Sequence, residues 1–146
     1  MKKVPSMQIE LIEKKDYDYT HIQQLYNTVR VNMPFLTLIS DFRKELKNEI
    51  VYEVFVNDQL IAFVSFWEPD NFIHHLYILP EYQGRRIGQQ IIDFLAGIYG
   101  GPLGLKCLTQ NIQAVNFYKK NNFYEKYRGT SENGEYIYFE QLAEKS

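Results

Sequence analysis

The chain holds one cysteine, Cys107, in 146 residues. No intrachain disulfide can form, so the fold must stand on packing, as suits a reducing compartment. No apolar run approaches the roughly 18 residues that suggest a membrane span. The stretch Met1 to Lys15 mixes charges with single apolar residues and lacks the apolar core of a secretion signal, so a cytoplasmic protein is expected. Charge of one sign is also missing. Sixteen basic residues against eighteen acidic ones leave a net charge of −2, so neither nucleic acid nor a membrane is an expected partner. Glycine-rich nucleotide loops of the Gly-x-Gly-x-x-Gly or Walker type are absent, as is a Ser or Cys nucleophile motif. His21, His74, His75 and Cys107 show no ligand spacing, so no metal is expected. Cys107 lies in an apolar strand and reads as a small core residue.

Aromatics are plentiful. Twelve Tyr and ten Phe can fill a dense core or line a cleft. No repeat or linker divides the chain, and its length fits one domain over residues 1–146. Periodicity predicts a strand over Met7–Lys14, then a helix through Ile22, Leu25, Tyr26 and Val29. Ser40-Asp41 starts a short second helix. Strands follow at Ile50–Val56, Gln59–Glu68 and Phe72–Leu79, the first two joined by an Asn57-Asp58 turn. A helix over Ile87–Ile98 ends at Gly100-Gly101-Pro102. A strand over Leu103–Leu108, a helix over Ala114–Asn121 and strands at Tyr124–Arg128 and Tyr136–Leu142 complete the order. A meander followed by strand–helix–strand predicts a mixed α/β (α+β) sheet covered by helices.

The most informative stretch runs from Ile78 to Gly88. It is a strand end, a proline turn and a Gly/Arg loop leading into an apolar helix. Free N–H groups at a helix start, with flanking glycines and two arginines, form a place to hold phosphate.

Two motifs carry a resemblance. Ile78-x-Pro80-x-x-Gln83-x-x-Arg86-x-Gly88 is followed by Asn111-x-x-Ala114-x-x-Phe117-Tyr118-x-Lys120-x-Asn122-Phe123. Together they resemble the GNAT (GCN5-related N-acetyltransferase) superfamily, most sharply from Phe72 to Phe123. The resemblance implies a mostly antiparallel sheet of six to seven strands flanked by about four helices. It also implies a strand splay that holds acetyl-CoA. Its pyrophosphate would sit on the backbone of Gln83, Gly84, Arg85, Arg86, Ile87, Gly88 and Gln89, at the positive end of the following helix. The backbone at Leu76 and Ile78 would bond the pantetheine arm and stabilise the thioester oxyanion. Asn111, Asn116, Tyr118 and Lys120 are the further implied contacts.

The chain departs from the family pattern twice, since Arg86 and Asn122 stand where glycines are usual. A side chain at position 86 is tolerable provided its backbone keeps an ordinary right-handed conformation, whereas Asn is at ease in the left-handed one.

The implied activity is N-acetylation of a primary amine, on a small molecule or a peptide, by direct attack. Tyr118 is the implied general acid for the leaving thiolate. His74 is the leading candidate base, with His75, Glu53, Glu68 or a water as rivals. Alternation places His74 and His75 on opposite faces unless a bulge intervenes, so one of them at most is expected to face the acceptor. A non-catalytic acyl-CoA sensor of the same fold is the alternative function. An exposed C-terminal strand edge would serve for homodimer pairing.

Overall fold

The computed structural model describes residues 7–142. The chain runs β1 (Glu10–Glu13), α1 (Thr20–Asn32), α2 (Phe42–Glu45), β2 (Ile50–Val56), β3 (Gln59–Trp67), β4 (Phe72–Ile78), α3 (Ile87–Tyr99), β5 (Gly104–Leu108), α4 (Ile112–Lys120), β6 (Phe123–Ser131) and β7 (Gly134–Gln141). Short 3₁₀ turns sit at Glu68–Asp70 and Pro80–Tyr82. The seven strands form one sheet in the order β1-β2-β3-β4-β5-β7-β6. Only β4 and β5 run parallel; the other neighbours are antiparallel. This is the architecture that the resemblance implied. Among the described residues no helix is long and apolar enough to cross a membrane.

Local chemistry explains the boundaries. Asp41 adopts an extended conformation and its carboxylate accepts the Lys44 N–H at 3.3 Å, which starts α2. Asn57 and Asp58 both take positive φ, as a tight hairpin between β2 and β3 requires. Asn111 caps α4 by accepting the Ala114 N–H at 3.3 Å, so that helix begins at Ile112, earlier than its apolar pattern shows.

Alternation along the central strands sorts the core into two layers. Val51 and Phe63 face one side, where Ile22, Leu25, Tyr26 and Val29 of α1 and Phe42 of α2 cover them. Tyr52, Val54, Ala62, Val64 and Phe66 face the other, under Ile87, Ile91, Ile92 and Leu95 of α3 and Tyr118 of α4. Phe63 is fully buried and meets Phe42 edge-on at 5.8 Å.

Two irregularities position the site. Strands β4 and β5 pair only at Phe72–Gly104 and Ile73–Leu105, then part. The register between β3 and β4 also shifts, with Phe66 opposite Ile73 but Ser65 opposite His75. His74 is therefore an extra residue, a β-bulge.

Candidate active site

The parted strands open a cleft of about 830 Å³, near the upper end of ligand-site volumes. Its walls come from β4, β5, α4 and the loop before α3. The Leu79 N–H bonds the Ile61 carbonyl across to β3 at 2.9 Å. Backbone direction alternates along a strand, so the N–H groups of Leu76 and Ile78 turn the other way, into the splay. Gln83 Nε2 donates to the Ile78 carbonyl at 3.0 Å, tying the loop to the strand end.

The first backbone bond into α3 runs from the Gln90 N–H to the Arg86 carbonyl at 3.1 Å. The N–H groups of Ile87, Gly88 and Gln89 therefore have no helical partner. They project at the positive end of a thirteen-residue helix, a fitting place for an anion. Of the residues expected to hold the cofactor, all line this cleft except Arg85 and Ile87. Ile87 is a core side chain, and Arg85 lies over the Tyr82 ring at 5.8 Å.

Arg86 does not meet the condition under which a side chain is easy at its position. Its backbone is left-handed, with φ 63° and ψ 15°, and not the right-handed conformation that makes a side chain easy there. A Cβ in that region costs about 1–2 kcal/mol. Arg86→Gly relieves this strain but loosens the unfolded chain by about 0.5–1 kcal/mol. A net gain of about 1 kcal/mol is expected, read from the denaturant midpoint. A loss of stability would show that the Arg86 side chain is itself holding the loop. Asn122 also has positive φ, 67°, as expected of a residue ending a helix.

Gly88 is constrained by closeness. A Cβ built there would lie 2.8 Å from Cζ of Phe117, so α3 approaches α4 through a gap that only glycine leaves.

On α4, Asn116, Tyr118 and Lys120 line the cleft with Asn111. Lys119 points elsewhere and pairs with Glu125 at 3.1 Å. Tyr118 is buried and packs against Phe117, Phe123 and Phe139. Its hydroxyl bonds no other described residue. Burial raises its pKa above the usual tyrosine value, so the phenol keeps its proton. Cys107 shares this wall, and burial pushes its thiol up to about 12, as befits an inert core residue.

The bulge overturns the expectation that His74 and His75 face opposite ways. Their ring centroids are 4.0 Å apart on the α1–α2 side of the sheet. His74 Nδ1 lies 2.8 Å from Oε2 of Glu49, whose side chain is only 7% exposed. His74 Nε2 lies 3.6 Å from Glu45 Oε1, and His75 Nε2 lies 3.1 Å from the same oxygen. Burial alone would lower the His74 pKa, but the bond to Glu49 and the charges of Glu49 and Glu45 outweigh it and the net shift is upward. For His75 burial wins and the pKa falls.

His74 lines both the main cleft and a second recess under the α1–α2 segment, which Glu45, Lys44 and Lys106 also reach. Of the rival bases, His75 lines only the second recess, and Glu53 and Glu68 line neither cavity. Glu53 lies 3.8 Å from Lys14 Nζ, and Glu68 is exposed in the turn beyond β3. Glu45 and Glu49 escape a sequence reading. Their spacing of four residues, with both preceding the strand pair, is the one sign of them.

The model of the Acetyltransferase (GNAT) family matches residues 16–123. No curated protein gives a significant sequence match. Among solved structures the chain is similar to a GCN5-related N-acetyltransferase from Rhodopseudomonas palustris, at 16% identity and TM-score 0.77, covering 97% of this chain and 100% of that one. It is also similar to the Vibrio cholerae spermidine N-acetyltransferase in complex with CoA and spermine, at 21% identity and TM-score 0.69, covering 91% and 94%. A third is Arabidopsis thaliana NAA60 with a bisubstrate analogue, at 14% identity and TM-score 0.71, covering 94% and 100%. Identities this low speak for the fold alone. The family match takes in the splay, the loop before α3 and the helix bearing Tyr118, and by it the chain belongs to the GNAT acetyltransferase family.

Proposed function

We propose that the protein moves an acetyl group from acetyl-CoA to a primary amine by direct attack. One observation carries the reading: the free N–H groups of α3, the parted β4–β5 backbone and Tyr118 all open on one cleft. The splay offers a pantetheine arm the ladder bonds that β5 does not make, and the start of α3 offers a pyrophosphate its donors. The spermidine acetyltransferase of similar fold, in complex with CoA and spermine, supports this use of the fold.

Acetyl-CoA supplies an activated acyl carbon and a thiolate leaving group. The amine nitrogen bonds that carbon, and the carbon–sulfur bond breaks. Backbone N–H groups at Leu76 and Ile78 steady the charge that develops on the carbonyl oxygen. Tyr118 donates its hydroxyl hydrogen to the departing sulfur and is restored by the second proton that the acetylated nitrogen sheds. The ammonium proton leaves through His74. Glu49 Oε2 sits 2.8 Å from Nδ1 of that ring, so with the ring's hydrogen on Nδ1 it is Nε2 that takes the proton. Glu45, Glu49 and Asp41 lie at the acceptor end beside Lys44 and Lys106, a mixed field that accommodates a cationic amine near a carboxylate.

Titration with acetyl-CoA, followed by detection of free CoA thiol across a panel of polyamines, amino acids and peptide N-termini, tests the reading. Binding and thiol release with at least one amine are expected. Binding without thiol release across the panel would make the protein a sensor, and no binding at all would overturn both readings.

A further inference from the structure

We propose that Glu45, His74 and His75 form a binding site for a divalent transition-metal ion, zinc foremost, at the acceptor end of the cleft. The three residues present donor atoms that lie within 4.8 Å of one another. Two imidazoles and one carboxylate suit zinc, cobalt and nickel far better than magnesium or calcium. No linear motif announces this set, because one ligand comes from α2 and the other two from a bulge that turns adjacent histidines to the same side.

The separations favour a metal over a shared proton. Glu45 Oε1 stands 3.1 Å from His75 Nε2 and 3.6 Å from His74 Nε2. Ligands bound tetrahedrally at about 2.0–2.2 Å lie about 3.3–3.6 Å from each other. The gap to His75 matches a hydrogen bond as well, but the gap to His74 is too long for one.

Proton accounting points the same way. A carboxylate only accepts, so the 2.8 Å contact with Glu49 Oε2 places the hydrogen of His74 on Nδ1. In the neutral ring Nε2 carries a lone pair that faces the lone pairs of Glu45 Oε1 at 3.6 Å, too far for a good hydrogen bond to bridge. A cation at that point satisfies both. Glu49 completes the arrangement, since a metal-bound histidine commonly gives its second N–H to a carboxylate that orients the ring. Glu49 Oε1 and His75 Nδ1 are both buried without partners, so the cluster is not satisfied by its internal bonds alone. Glu45 and His74 are each 36% exposed at the side chain, which leaves an ion a way in and room for water as a further ligand.

An ion bound there takes the same Nε2 lone pair that the proposed acetyl transfer uses for a proton. Metal binding should therefore inhibit; this consequence rests on the proposed function, whereas the binding itself does not.

The test uses untagged, chelator-treated protein. Calorimetric titration with Zn²⁺ should show one ion per chain at micromolar affinity or better. Co²⁺ should give the visible bands of a four- or five-coordinate site. Glu45→Gln and His74→Ala, both at partly exposed positions, should each weaken Zn²⁺ binding at least tenfold while thermal melts show a folded protein. His75→Ala should do the same if it folds, and the other two variants decide the matter if it does not. His21→Ala, at an exposed position on α1, should change nothing. No Zn²⁺ binding, or binding that survives both Glu45→Gln and His74→Ala, overturns the site. Saturating Zn²⁺ should also lower turnover at least tenfold, with recovery on adding chelator. Full turnover by ion-loaded protein would remove His74 from the role of base and leave the metal site standing.

Discussion

Tyr118→Phe should lower kcat about 10²–10⁴-fold and leave the affinity for acetyl-CoA within about twofold of the parent. The reason is local. The hydroxyl bonds no other described residue, so its removal leaves no protein group unpaired. The ring keeps its packing against Phe117, Phe123 and Phe139, so stability should change by less than about 1 kcal/mol. What is lost in the proposed mechanism is one donor at the departing sulfur, about 3–5 kcal/mol of barrier for that range of rates. Burial holds the phenol above its ordinary value, so the parent enzyme should show no loss of turnover from tyrosine ionisation below about pH 10. Single-turnover kinetics at saturating acetyl-CoA check the first claim and the alkaline limb of the kcat profile checks the second. A Phe variant with undiminished kcat would take the acid role from Tyr118.

Gly88→Ala should act on binding instead of chemistry. The added methyl would lie 2.8 Å from Phe117 Cζ, closer than real Cβ contacts come, so α3 and α4 must separate or the ring must move. Overpacking of this kind costs about 1–3 kcal/mol. Because α3 carries the N–H groups proposed to hold the pyrophosphate and α4 carries Tyr118, the same movement spoils their common aim. The KM for acetyl-CoA should rise at least tenfold, by roughly 1.4 kcal/mol or more. Phe117→Leu in the Gly88→Ala background should recover part of both losses, since two residues in contact are energetically coupled. Additive effects in that double-mutant cycle would mean that Gly88 matters for another reason.

The element order was legible because its signals are local: period-two and helical spacing, the Asn57-Asp58 turn, and the Gly100-Gly101-Pro102 stop. The cleft was legible through the two motifs, whose residues line it with the exceptions of Pro80, Asn122 and Phe123. What escaped was conformational or long-range. Composition gives no sign that Arg86 must sit left-handed, because that demand comes from how the loop enters α3. Alternation is a sound rule for β4, but it fails at one residue where the strand is longer than its partner. Glu45 and Glu49 reach His74 only after the α2 segment folds over the sheet, and no spacing within a strand records that.

The bulge has a consequence for how this protein can change over generations. Loss of one codon, that of His74, would leave Ile73 opposite Phe66 and His75 opposite Ser65, the pairs that exist now. The strand would become regular, and the sheet would keep every other pairing. Most deletions within a buried strand shift all that follows to the wrong face. Here a single in-frame deletion would remove the imidazole pair and spare the scaffold. The imidazole pair beside Glu45 and Glu49 can therefore be gained or lost by a change in chain length that leaves the register of the sheet intact.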